Sequence, residues 1–250
     1  ALAIDPGHGL AQGVLSLVLD FDLTLNIAEG RYQEVIDGYA RARAADPNNV
    51  DLVNWSGYSL FRLGRFELAE AEFRRCRDME PTYAPCRANL SGALLLLGRR
   101  DEARAELISA AAKGAVGPDI PLLMIMHALD MREPFYLVGA NLAGLRGWHD
   151  FDDLYDALGQ PKGDHALLRA RLLAPGGPDG NFQLDALLIA LGDHSRRINN
   201  WTLWLPAFAE YRKSPAFSQV MKDNGIIAYW QQEGFPPGCH SPTPDTVVCD

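Results

Sequence analysis

Apolar and polar positions in the first 114 residues alternate at the spacing of paired amphipathic helices, and the pattern repeats. One unit starts near Val50 and runs Asn54-Trp55-Ser56-Gly57-Tyr58, Leu60, Gly64-Arg65-Phe66, Ala69, Phe73, Cys76 and Pro81. Shifted by 34 residues it becomes Leu90-Ser91, Leu94, Gly98-Arg99-Arg100, Ala103, Leu107 and Ala110. Shifted back by 34 it becomes Leu23, Gly30-Arg31-Tyr32, Val35, Tyr39, Ala42 and Pro47. Recurrence at a fixed period of this length predicts a helical repeat array.

The positions explain themselves physically. Gly30, Gly64 and Gly98 supply positive φ where a first helix ends. Pro47 and Pro81 stop the second helix. Gly57 and Ala69 are small where the two helices of a pair touch, and the glycine gives up about 1 kcal/mol of helix propensity there. Tyr39 and Phe73 fill the wedge between successive pairs. No unit hides its apolar face alone, so the units must stack. One interval departs from the period: Pro6 to Pro47 spans 41 residues, seven more than a repeat. Seven residues are about two helical turns, so a lengthened first helix is expected over Gly9 to Ile27. Leu23 in place of a small residue implies looser packing in that unit.

After Gly114-Ala115-Val116-Gly117-Pro118 the 34-residue register is lost, and the chain divides into repeats over 1–114 and degenerate helical repeats over 115–250. Helices are expected at Ile120–Met131, Phe135–Leu145, Asp150–Leu158, His165–Leu173, Asn181–Leu191, Ile198–Tyr211, Ser214–Asn224 and Ile226–Glu233. Trp201, Trp204, Leu205, Phe208 and Tyr211 form a helical stripe, and Ser214-Pro215 is a helix start. Pro175 to Gly180 reads as a surface loop that interrupts the array.

Composition narrows the function. A net charge of −9 and a pI near 5.1 argue against non-specific nucleic-acid binding and against anionic lipid. No stretch approaches the roughly 18 apolar residues of a membrane span; Ile120 to Leu129 is the longest candidate and carries His127. The opening Ala-Leu-Ala-Ile-Asp-Pro reads as the last turns of a helix whose beginning is missing, so the chain is expected to be a fragment with any targeting or membrane segment cut away. The four cysteines fall in two pairs of equal spacing. Cys239 and Cys249 flank a Pro-rich tail with few apolar residues to hold it down. A bridge there, worth about 2–3 kcal/mol, is the expectation, with two free thiols as the alternative. A bridge implies an oxidising compartment. Cys76 and Cys86 stand as either a second bridge or, for Cys76, a buried thiol.

The residues of the three units closely resemble the tetratricopeptide-repeat family, over residues 1 to about 114. The resemblance implies an all-α superhelix, a solenoid of antiparallel helix pairs whose first helices line a concave groove that binds a peptide or protein. The matching positions are Asp20 and Thr24, then Asp51, Asn54, Tyr58 and Arg62, then Ala88, Asn89 and Gly92. Asn54 and Asn89 suit a ligand backbone, which has donors and acceptors to satisfy, and Tyr58 suits an amphipathic contact. The family members that clamp C-terminal carboxylates use several cations here; only Arg62 qualifies, opposed by Asp20 and Asp51. A second resemblance covers the end of the chain: Ser214-Pro215-Ala216-Phe217, Gly225, Tyr229-Trp230, Gly234-Phe235-Pro236-Pro237, Cys239 and Cys249. It is similar to the tail of bacterial membrane-anchored regulators that carry a winged-helix domain or cyclase in the cytoplasm. That resemblance implies a periplasmic sensing or interaction domain, with membrane contact only through a missing N-terminal segment and no nucleic-acid contact in this chain.

Catalytic signals are weak. His149-Asp150-Phe151-Asp152-Asp153 is the best metal candidate, but Asp150 as a helix cap with acids in the first turn is the simpler reading. Gly163-Asp164-His165 and Gly192-Asp193-His194 read as helix boundaries, since no nucleophile elbow accompanies them. There is no His-Glu-x-x-His and no phosphate-binding loop. The expectation is a binding scaffold, not an enzyme, without cofactor or metal. A free-standing envelope or secretion adaptor and a metal-dependent enzyme built on the C-terminal half are the alternatives. Free thiols at both Cys239 and Cys249 would favour the cytoplasm.

Overall fold

The computed structural model describes residues 5, 7–22, 31–113, 120–146, 151–160, 162–174 and 182–250. Its first helices are α1 (Gly9–Asp22), α2 (Arg31–Ala45), α3 (Val50–Arg62), α4 (Phe66–Met79), α5 (Ala84–Leu96) and α6 (Arg100–Ala112). They pack as the pairs α1–α2, α3–α4 and α5–α6. Tyr32, Val35, Tyr39 and Ala42 of α2, Ala69, Phe73 and Cys76 of α4, and Ala103, Leu107 and Ala110 of α6 are all buried, which is the face that the period marks. Gly57 is small for a reason: a Cβ there would fall 2.7 Å from the Phe73 ring. Ion pairs span neighbouring pairs at a constant separation. Arg43 meets Glu72 at 2.5 Å, Arg99 meets Glu70 at 2.6 Å and Arg77 meets Glu106 at 3.4 Å. A disulfide between Cys76 and Cys86 ties α4 to α5.

The seven extra residues can be placed by contact. Ser16 of α1 meets Gly38 of α2, as Gly57 of α3 meets Glu72 and Phe73 of α4. α1 therefore matches α3 at an offset of 41 while α2 matches α4 at 34, and the excess falls between Ser16 and Tyr32. α1 is helical to Asp22; Leu23 and the rest of the expected helix to Ile27 lie outside the described residues.

The turn that ends α3, and likewise α5, is a hydrogen-bonded motif with a residue at positive φ. Gly64 N–H donates to Phe61 O and Arg65 N–H to Leu60 O; Gly98 and Arg99 repeat this with Leu95 and Leu94. Downstream the motif recurs with its glycine at Gly192 and without one at Asp130. Asp130, at φ 56°, donates to His127 O, and Met131 to Met126 O. This turn joins α7 (Ile120–Ala128) to α8 (Arg132–Arg146), a fourth pair that packs on α5 through α7.

The remainder is α9 (Phe151–Leu158), α10 (Ala166–Leu172), α11 (Phe182–Ala190), two 3-10 turns (Trp201–Trp204 and Pro206–Phe208), α12 (Ala209–Arg212), α13 (Pro215–Asp223), α14 (Ile226–Glu233), β1 (Cys239–Thr243) and β2 (Thr246–Cys249). Leu122 to Met126 of α7 and Ala186 to Ala190 of α11 are buried without a polar side, which explains why Ile120 to Leu129 reads as the most apolar stretch: such helices are internal. Ser214 caps α13 by accepting from Phe217 N–H at 3.2 Å.

Two expectations need correction. The helix over Ile198–Tyr211 is broken. Leu205 is extended (φ −64°, ψ 154°) because Pro206 follows it, and the Asn200 side chain caps the first 3-10 turn by accepting from Thr202 N–H at 2.8 Å. The aromatic stripe is buried all the same. The tail is not held by its bridge alone. It folds as an antiparallel hairpin with Cys239 opposite Cys249, closed by the expected disulfide. Val247 is fully buried and its N–H donates to Ser218 Oγ at 3.0 Å. Pro175 to Gly180 lies outside the described residues.

Candidate functional site

The first helices α1, α3, α5 and α7 contact one another in sequence and form one layer of the stack. The candidate groove residues lie on this layer in two different environments. At the N-terminal ends of α3 and α5, Asn54 and Asn89 are 7% and 9% exposed and joined, with Asn89 Nδ2 donating to Asn54 Oδ1 at 3.1 Å. Beside them Asp51 accepts from the Tyr83 hydroxyl. Burial and that carboxylate push the Tyr83 phenol pKa up, so it stays protonated and donating. Pro85 is exposed, and Asp51, Tyr58 and Ala88 are half-buried. This end carries half-buried carboxylate and aromatic groups over a buried pair of amides that joins the two helices.

The other end of the layer is covered by the chain itself. Arg62 is 3% exposed and donates through Nη2 to the Tyr32 hydroxyl at 2.9 Å, while Asn199 Nδ2 donates to the same oxygen at 3.1 Å. The Trp201 ring stacks on Phe61 at 4.7 Å and 12°. Gly92 makes room for that stack, since a Cβ there would sit 3.2 Å from both Phe61 and Trp201. Trp204 Nε1–H donates to Arg62 O at 3.0 Å and Trp230 Nε1–H to Leu63 O at 2.9 Å. Those carbonyls belong to the last turn of α3, which has no intrahelical donors for them. Two indoles from the C-terminal half thus cap α3. Arg65 reaches the Gly234 carbonyl at 2.7 Å, and Pro236 fills the space beside Gly64.

Asp20 lies on α1, and Thr24 lies outside the described residues. Asn199, Trp201, Trp204 and Trp230 were not among the residues the repeat pattern points to. Their only signal is apolar and aromatic spacing, which says that they are buried but not on what.

The C-terminal half holds its own ends with one cation. Arg212, 7% exposed, donates to the carbonyls of Leu203 (2.8 Å), Leu205 (3.0 Å) and Asp250 (2.9 Å). Burial lowers its pKa to about 10, which leaves it charged at neutral pH. Of the metal candidate, His149 and Asp150 lie outside the described residues. Asp152 accepts from Tyr136 and Asp153 pairs with Arg171. Among the described residues no group of three or more His, Cys, Asp or Glu side chains is placed to hold a metal ion. Asp164 accepts from Ala166 N–H at 3.0 Å and Asp193 from Ser195 and Arg196, so both Gly-Asp-His segments shape turns. A cleft of about 370 Å³ lies between α9 and α10, lined by Asp153, Asp156, Asp164 and Leu167. Another of about 340 Å³ lies between α7, the end of α9 and Leu205-Pro206-Ala207.

A model of the tetratricopeptide repeat matches residues 60–120, from the end of α3 to the first residue of α7. Repeats of this kind generally mediate protein–protein interaction. No curated protein and no solved structure gives a significant match.

Proposed function

We propose that the chain is a protein-binding scaffold that takes a polypeptide along the open end of its first-helix layer. The observation that supports this is the Asn54–Asn89 pair, which sets side-chain amides on adjacent helices just beneath the half-buried Asp51, Tyr58 and Ala88, away from the end that Trp201 covers. Amides both donate and accept, as a ligand backbone requires, and Tyr58 and Asp51 flank them. Closure of the other end limits the ligand to a short segment, one that crosses α3 and α5 rather than running the length of the array. The role is binding, without catalysis.

The compartment is part of the proposal. Two bridged cysteine pairs favour an oxidising environment, and we place the chain outside the cytoplasm, as the sensing or interaction part of a regulator anchored in the membrane by a segment upstream. Among the described residues no helix is long and apolar enough to cross a membrane.

The test is site-specific photo-cross-linking in the source cells. A photoreactive residue at Ala88, on the open strip, should capture a discrete partner; one at Ala71, exposed on α4, should not. Capture at Ala71 alone, or at neither position, refutes the site. The mass of the native protein with and without reductant tests the compartment. Free thiols at Cys239 and Cys249 refute it.

A further inference from the structure

The third repeat and the turn that follows α7 each break the pattern once. Tyr32 and Phe66 hold one position of the first two units, and both meet the C-terminal part of the chain. Asn199 Nδ2 donates to the Tyr32 hydroxyl at 3.1 Å, and the Phe66 ring lies edge-on to Trp204 at 5.4 Å. In the third unit the same position is Arg100. Beside Arg100 lies a cleft instead of a ring contact, the one of about 340 Å³ that Leu205-Pro206-Ala207 forms with α7 and the end of α9. The second departure is Asp130. It stands where the earlier turns have Gly64 and Gly98, and it keeps their positive φ, at 56°, although it carries a side chain. Glycine is the residue that this turn favours, and a backbone held against such a preference points to a function.

The two departures meet. Arg100 Nη2 and Asp130 Oδ2 pair at 2.8 Å on the rim of the cleft, with side chains 47% and 78% exposed. Met124, Leu158 and Leu205 are buried and form its apolar floor. His127 lines one side, and burial lowers its pKa, which keeps the imidazole uncharged at neutral pH. An apolar cleft of this size with a few convergent polar groups is the common form of a small-molecule site.

The rim selects the ligand. A lone anion beside Arg100 would be opposed by Asp130, and a lone cation beside Asp130 by Arg100. A zwitterion satisfies both without adding net charge, and an exposed ion pair opens to admit it at little cost. We propose that the cleft binds an apolar α-amino acid, with its carboxylate on Arg100, its ammonium on Asp130 and its side chain on Met124, Leu158 and Leu205. The cleft shares no residue with the site around Asn54 and Asn89, and the proposal does not rest on that site.

The experiment titrates the whole chain by calorimetry with leucine, methionine and phenylalanine, and with the deamino and decarboxy analogue of each (isocaproate and isoamylamine for leucine). At least one amino acid should bind saturably. Its two analogues should bind about tenfold more weakly or worse, because each lacks one charge-assisted hydrogen bond. Asp130→Gly restores the residue of the earlier turns and suits the positive φ, so its Tm should not fall while affinity drops about tenfold or more. Arg100→Gln, at an exposed position, should lose affinity to a similar extent with its helicity unchanged. Absence of saturable binding by all three amino acids overturns the proposal. So does an analogue that binds as tightly as its amino acid, or unchanged affinity in either variant.

Discussion

Between residues 31 and 113 a side chain finds its partner one repeat away, and the arrangement recurs. Arg43–Glu72 and Arg77–Glu106 are one contact made twice, 34 residues apart, and Glu70–Arg99 joins successive pairs at the same sequence separation with the charges reversed. Between residues 199 and 250 the partners occur once and are distant in sequence. Asn199 reaches Tyr32, Trp204 reaches Arg62 O, Trp230 reaches Leu63 O and Arg212 gathers three carbonyls. The array is built by addition, so deleting one of its contacts weakens it locally. The C-terminal part is pinned at a few points that have no duplicate, so deleting one should release a whole segment. That part also converts an open layer into a half-closed one by capping α3.

The sharpest way to break this contrast is Arg212→Ala. It strips a buried charged donor from three carbonyls at once, and we expect a loss of about 3–5 kcal/mol. Because Trp201, Trp204 and Trp230 sit in the affected part, tryptophan fluorescence should change at lower urea than far-UV circular dichroism, which the array dominates. Coincident curves with an unshifted midpoint would contradict the pinning account. In the array, Glu70→Gln breaks contacts to both Arg74 and Arg99, and should lower stability by less than about 1 kcal/mol.

The two disulfides compare the regions at equal loop length, since each spans ten residues. Chain entropy assigns each about 2–3 kcal/mol. Cys239→Ala with Cys249→Ala should lose that amount and also free Asp250 from Arg212, so hydrogen exchange in the hairpin and in α12 should rise together. Cys76→Ala with Cys86→Ala should lose a similar amount while exchange in the hairpin stays unchanged, because its effects remain within α4 and α5. Equal spread of exchange in both variants would erase the distinction.

What was legible in the sequence follows the same division. Tyr39, Phe73, Ala69 and Gly64 are visible because the chain states them at a fixed interval, and a repeat read twice checks itself. Helices at Ser214 and Ile226 are visible through local capping and spacing. The break at Leu205 was signalled by Pro206 but outweighed by the aromatic stripe, whose burial it does not disturb. The hairpin was hidden because Val247 and Val248 are too few to announce a strand. The closure of the layer was not legible. Nothing in the residues around 199–204 names Tyr32 or Arg62 as partners more than 140 positions away. Asn54 and Asn89 were readable as groove positions from the register, but their bond to each other needed the fold.

Trp230→Phe refines the pinning account at a single atom. It keeps an aromatic ring in the core and removes the N–H that caps Leu63 O. We expect a loss of about 1–2 kcal/mol, smaller than for Arg212→Ala but again felt on both sides of the junction. Weaker protection of amides that follow the Leu63-Gly64 turn is the readout. A variant with native stability and an unchanged exchange pattern would show that the indole fills space without capping α3.

The smallest expected effect concerns pH, and it separates the fourth helix pair from the first three. His127 on α7 packs against Phe135 and Tyr155 at 6.4 and 4.7 Å, and burial holds its pKa below the ordinary 6.5 despite Asp130 and Asp156 nearby. His194, against Tyr211, is lowered for the same reason. A lowered folded pKa means that the unfolded chain takes up the proton first. Stability from the neutral imidazole is therefore complete above about pH 6.5 and is lost as pH falls from there toward the folded value. The urea midpoint should fall between about pH 7 and pH 5, and His127→Phe, which keeps a ring in the same site, should remove part of that slope, the remainder belonging to His194. The described first three pairs contribute only His8, in an exposed position, so the acid-sensitive signal should come from residues 120–250. An unchanged slope in the His127→Phe variant would place the sensitivity elsewhere.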